Sequence, residues 1–208
     1  MIEVPDRFRP LLGVRQYLLI EGGGIASPNR AGYYWGSGWK VAECSPGTVF
    51  KRLDFPHKSP HADCCCGIQV GYSLDILWRE GTIRNNALYL KQRNNGTFTG
   101  GWDLGGEGQC VVFYALVAAS GFVRKFDNLM KAEKVRILSV VQPPVKYIAG
   151  ATIEPRDAEF LALSYGIGYM DLRKAPDISS REMKAMAPIF NCDYWSPEDT
   201  PVTLPRNK

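Results

Sequence analysis

Ten consecutive apolar residues, Cys110 to Ala119 (CVVFYALVAA), set the terms for any fold this chain can adopt. The run is about half the roughly 18 residues that a membrane-spanning helix needs. Its length suits a buried strand. Because it is apolar on both faces, the strand Val111–Ser120 is expected at the centre of a sheet, with both sides covered. Around it, short aromatic and β-branched segments alternate with glycine-rich turns, which predicts a mainly β domain, a small barrel or a sandwich.

The other strands are expected at Val14–Ile20, Tyr33–Trp35, Trp39–Cys44, Gly67–Val70, Phe122–Phe126 and Val135–Val141. Gly22-Gly23-Gly24 and Ser27-Pro28-Asn29 read as one long turn, Leu74–Trp78 as a helical turn, and Asn94–Gly108 as a loop or hairpin tip. Pro143-Pro144 ends the β region, and the pattern then changes. Pro155 suits a first helical position, Ala158, Leu161, Ala162 and Tyr165 share one face, and Gly166 suits the C-terminal cap. Ser179 with Glu182 predicts a capping box and a second helix that stops near Pro188. The expected organisation is therefore a lead-in over 1–12, a β-rich domain over 13–148, and a helical C-terminal appendage with an extended tail over 149–208, packed on the β domain. In fold class this is α+β overall, mainly β with a C-terminal pair of short helices.

Pro5, Asp6 and two arginines interrupt the first residues where a secretory segment would need an unbroken apolar run, so no signal peptide is expected. A soluble, cytoplasmic protein without a membrane partner follows as the expectation. In that compartment thiols stay reduced, and six cysteines argue against a disulfide framework.

The placement of those cysteines carries chemistry. Five of the eight Cys and His residues lie within positions 57–66, as His57, His61, Cys64, Cys65 and Cys66. Zinc takes four such ligands in a tetrahedron. In an extended segment, residues two apart point to one side, so Cys64 and Cys66 can face one ion while Cys65 points away. Cys44, at the end of a predicted strand, can reach the ion across a loop. The expected set is Cys44, His57 or His61, Cys64 and Cys66, a closed and hence structural zinc site. Unliganded buried thiols are the alternative, as is a redox or catalytic thiol. Cys110 and Cys192 read as packing residues.

Trp39-Lys-Val-Ala-Glu-Cys44, a His/Pro loop, and Cys64-x-Cys66-Gly67-Ile68 resemble the A-x-C … C-x-C-G-I pattern of a family of uncharacterised actinobacterial and actinobacteriophage proteins. Ala118–Val123 and Leu163–Ile167 resemble its later segments. Gln69 stands where that family has an aromatic residue, and Cys65 is an additional thiol. The resemblance implies an actinobacterial or phage context, with the host cytoplasm as location, and brings no chemistry of its own.

Several enzyme classes lack their signatures. Gly105–Gly108 has no P-loop Lys-Ser/Thr after it, and neither H-E-x-x-H nor a G-x-S-x-G elbow occurs. Segment 111–150 carries a net charge of +4, as large as that of the whole chain, from Arg124, Lys125, Lys131, Lys134, Arg136 and Lys146. It is either a solvated face or an electrostatic footprint for phosphate. Tyr33, Tyr34, Trp35, Trp39, Tyr72, Trp78 and Trp102 are mainly core candidates. Trp35 and Trp39 beside Arg124 and Lys125 are the candidates for ligand stacking. The function expected from these features is a zinc-stapled, non-enzymatic binding protein with a protein or small-ligand partner, in a phage setting an accessory host-interaction or anti-defence protein. An enzyme acting on a nucleotide or nucleic acid, and a virion component, are the alternatives.

Overall fold

The computed structural model describes residues 2–4, 9–20, 24–27, 30–44, 57, 59–61, 66–79, 110–148, 152–175 and 177–198. The strands are β1 (Ile2–Val4), β2 (Leu11–Ile20), β3 (Gly24–Ser27), β4 (Arg30–Trp35), β5 (Lys40–Val41), β6 (Ile68–Gly71), β7 (Cys110–Lys125), β8 (Leu129–Gln142) and β9 (Gly168–Asp171). The helices are α1 (Leu74–Arg79), α2 (Pro155–Tyr165) and α3 (Ser180–Met186), and a 3-10 turn, Ala187–Phe190, follows α3. No helix among the described residues is long and apolar enough to cross a membrane.

The apolar run forms β7, and Val112–Ala119 is buried throughout. Along one edge β7 pairs antiparallel with all of β2, from Leu11↔Ala119 to Ile20↔Cys110, and β1 continues that edge at Gly121–Val123. Along its other edge it pairs antiparallel with β8. β6 pairs with both β8 and β2, the latter at Val14↔Gly71. The pairings β2–β7–β8–β6–β2 therefore return to their start, and the sheet curls into a small barrel-like ring. β3 and β4 extend it from β2, while β9 joins β8 in parallel and makes the sheet mixed.

Two cores result. On one face Tyr17, Phe113, Val117, Met130 and Ile137 pack with Ala158, Leu161 and Ala162 of α2. On the other, Leu12, Leu116 and Ala118 are covered by Leu74 and Leu77 of α1, Met183 of α3, and Cys192. A strand apolar on both faces is stable only when both layers exist.

The helix ends form as their local chemistry dictates. Pro155 occupies the first turn of α2, and Gly166 caps it in the left-handed region, its N–H reaching Ala162 O and Leu163 O. Ser179 and Glu182 make a capping box on α3.

Four expectations need correction. The stretch read as one turn contains β3, because Gly24–Ser27 finds a partner in Leu18–Ile20. The lead-in contributes β1. Trp39–Cys44 is regular only at Lys40–Val41. The strands expected separately at Val111–Ser120 and Phe122–Phe126 are one: β7 runs through Gly121 with a bulge, in which Ser120↔Lys134 is followed by Val123↔Ala132. There Gly121 takes φ 75°, and the Phe122 N–H donates to Glu133 Oε2 at 3.0 Å. The predicted loop Asn94–Gly108, the Gly105–Gly108 turn and the end of the tail (199–208) lie outside the described residues.

Candidate metal centre

The outer edge of β8 is shared by three strands. β6 occupies Leu129–Ala132, β5 occupies Lys134–Val135, and β9 occupies Ser139–Gln142. β5 and β6 both run antiparallel to β8 and meet at Glu133, whose carbonyl accepts the Ala42 N–H at 2.6 Å. One edge cannot pair with two segments at once, so the chain beyond Ala42 must leave β8 where the chain entering β6 arrives. This handover brings Cys44, two residues past Ala42, beside Cys66, two residues before Ile68. Ala42 and Ile68 both pack on the core shared with α2.

The loop carrying His57 and His61 closes over this junction. One ligand atom each from Cys44, His57 and Cys66 lies within 4.8 Å of the others, and Cys66 Sγ is 3.4 Å from His57 Nε2. A tetrahedral ion held by thiolate and imidazole separates its ligand atoms by about 3.5–3.8 Å. The three side chains are thus close enough to bind a metal ion with only small adjustment. All three are half-buried.

Surrounding groups hold the loop. The His61 N–H donates to Cys66 Sγ at 3.3 Å, and the His61 ring lies against that of His57, 4.9 Å between centroids. The Arg124 guanidinium donates to His61 O at 3.3 Å. Pro60 and Lys131 press on Gly67 so closely that a Cβ there would sit 2.9 and 3.0 Å from theirs, at a backbone φ of 110°. Gly67 therefore lets the loop close directly on β8. Hydrogen bonds of this kind orient metal ligands.

Of the predicted ligands, Cys44, His57 and Cys66 come together. His61 lies outside the three-atom group and contributes its ring and backbone N–H. Cys64 and Cys65 lie outside the described residues. Cys192 is buried among apolar residues, and burial pushes its thiol up to about 11, as suits a packing residue. The side chain of Cys110 lies outside the described residues.

The proposed stacking residues divide. Trp35 is not a surface platform: it is 4% exposed, edge-on to Tyr17 at 5.0 Å, because β4 folds back over β3 and turns this ring into the core. Trp39 is 41% exposed, with the Arg136 guanidinium 5.2 Å from its ring. Arg124 supports the His61 loop, and Lys125 pairs with Met130 at the end of β7. Tyr34 is exposed. Tyr72 is buried, its hydroxyl donating to Phe126 O, and Trp78 packs edge-on to Tyr147. Trp102 and the side chain of Tyr33 lie outside the described residues. The parts that spacing did not reveal are Arg124 as a loop anchor, Glu133 as the handover point and Gly67 as the contact. Only the Gly immediately after Cys66 offered a local signal.

Comparison with protein-family models, curated proteins and solved structures finds no match to this chain.

Proposed function

We propose that the protein is a zinc-stapled, non-enzymatic binding module. The observation that carries this reading is the convergence of Cys44, His57 and Cys66 from three separate segments onto one point of the sheet edge. Two thiolates and an imidazole favour zinc over harder cations. By its spacing to Cys66, Cys64 is our candidate for the fourth ligand, and a four-ligand set would leave no position for a substrate, which is the mark of a structural site. The ion ties β5, the His57–His61 loop and β6 to β8, where backbone pairing alone is interrupted. Beside this staple, at β5, Trp39 and Val41 present exposed apolar surface for a partner. On the resemblance of its Cys/Gly motif alone, we place the module in an actinobacterial or phage host-interaction setting.

Elemental analysis of the purified protein tests the proposal. One zinc per chain is expected, with Cys66→Ser losing most of the metal and melting lower. Wild-type protein free of zinc, together with an unchanged melting temperature for Cys66→Ser, would overturn it.

A further inference from the structure

The bulge in β7 has a consequence for the distribution of charge. Residues directly opposite in an antiparallel pair share a face. Val123↔Ala132 and Ala119↔Val135 both point into the core shared with α2. The neighbouring cations point away from that core: Gln69, opposite Lys131, and Val41, opposite Lys134, are exposed, as is Arg136, and Arg124 lies opposite Lys131. The step in phase falls at Glu133, opposite the bulge: the buried positions of β8 are Met130 and Ala132 before it and Val135 and Ile137 after it, which leaves Lys131, Lys134 and Arg136 as the alternate positions, with Arg124 opposite Lys131. The carboxylate of Glu133, between Lys131 and Lys134 in sequence, accepts the Phe122 N–H.

Aromatic rings are interleaved with these cations. Arg136 lies over Trp39, and Arg124 and Lys131 lie 4.9 and 5.3 Å from the Phe126 ring. Val41 pairs with Lys134, so Trp39, two residues earlier, shares the face. Arg136 and Trp39 are exposed, while Arg124, Lys131 and Lys134 are half-buried.

We infer that this face binds single-stranded nucleic acid, with Arg124, Lys131, Lys134 and Arg136 along the phosphates and Trp39 stacking a base. This names the partner of the binding module proposed above and rests on that reading. A row of cations alone would suit any polyanion. Rings placed beside the cations favour a ligand that offers flat bases together with phosphates. A single strand exposes both at once.

The test is fluorescence anisotropy of a labelled oligothymidylate titrated with the zinc-loaded protein. Four neutralised phosphates give a slope of log affinity against log salt of about −2.8, or about a fiftyfold loss between 50 and 200 mM salt. Lys134→Gln and Arg136→Gln should each flatten the slope by about 0.7. Trp39→Ala should weaken binding about fivefold or more, and Lys174→Gln, beyond β9, should change nothing. Zinc content and melting temperature are measured on every variant. Absence of binding at 50 mM salt, with zinc and melting intact, overturns this inference and leaves the staple standing. Binding that Trp39→Ala leaves unaltered, and that heparin or anionic vesicles compete away equally well, overturns it in favour of a general polyanion surface. Oligonucleotide binding by a chain that proves to carry no zinc would support the inference and overturn the staple.

Discussion

Gly121→Ala probes the bulge on which both the sheet edge and the cationic face depend. At φ 75° a Cβ would stand 2.9 Å from Glu133 Cβ and 2.7 Å from its Oε2. The left-handed backbone alone costs a non-glycine residue about 1–2 kcal/mol. Moving Glu133 aside also breaks the bond from Phe122 N–H, a hydrogen bond to a charged group worth about 1.5–3 kcal/mol. The two together come to about 3–5 kcal/mol, or about 6–20 °C in melting temperature for a chain of this length. Gly166→Ala is the internal control. Gly166 has φ 62° and nothing within 4 Å of its added Cβ, so only the backbone cost of about 1–2 kcal/mol applies. Glu133→Gln, which keeps an acceptor for Phe122, should lose about 1 kcal/mol. Urea denaturation of the three variants at neutral pH measures all of this. If Gly121→Ala costs no more than Gly166→Ala, the bulge is not held by the Glu133 contact, and the phase of the four cations loses its basis.

Two further predictions concern the C-terminal layer. Ser179→Ala removes the cap of α3 and should cost about 1 kcal/mol, read as a drop of about 2–4 °C with zinc content unchanged; an unaltered melting temperature would show that the capping box contributes nothing. Burial, reinforced by its hydrogen bond to Asp177, raises Tyr147 from 10.0 to about 12, and burial likewise drives Tyr72 and Tyr114 upward. A pKa raised on folding contributes stability that is complete below the unfolded value and is lost as pH rises, so stability should decline from about pH 10 through pH 12. Denaturation midpoints that stay flat across that window would contradict the burial of these phenols, and Tyr147→Phe should make the decline shallower.

The sequence disclosed those features that short-range chemistry decides. Pro155, Gly166 and the Ser179–Glu182 pair each act within one helical turn, and each sits where spacing placed it. The two-faced apolar run announced a strand covered on both sides. Gly121 was ambiguous because a glycine at positive φ serves a turn and a bulge equally well; only the continuation of β8 opposite it decides. β3 is glycine-led and β9 is short, so both owe their existence to pairing with strands distant in sequence. Trp35 resembled a surface ring because Gly36 follows it, yet the fold-back of β4 buries it. At the metal centre, the clustering of Cys and His was visible, as was the reach from Cys44. The distinction between His57 and His61 was not, because it depends on how the loop closes against Gly67 and Arg124. The meeting of β5 and β6 at Glu133 is a long-range event, with no trace in local pattern.

X-ray absorption at the zinc edge tests the staple most directly. The wild-type protein should show sulfur scatterers at about 2.3 Å and an imidazole nitrogen at about 2.0–2.1 Å in a four-coordinate site. His57→Ala should lose the imidazole contribution, whereas His61→Ala should keep it. A metal-free protein after expression with added zinc, or an imidazole signature that survives His57→Ala and disappears in His61→Ala, would contradict the assignment of Cys44, His57 and Cys66 as the core of the site.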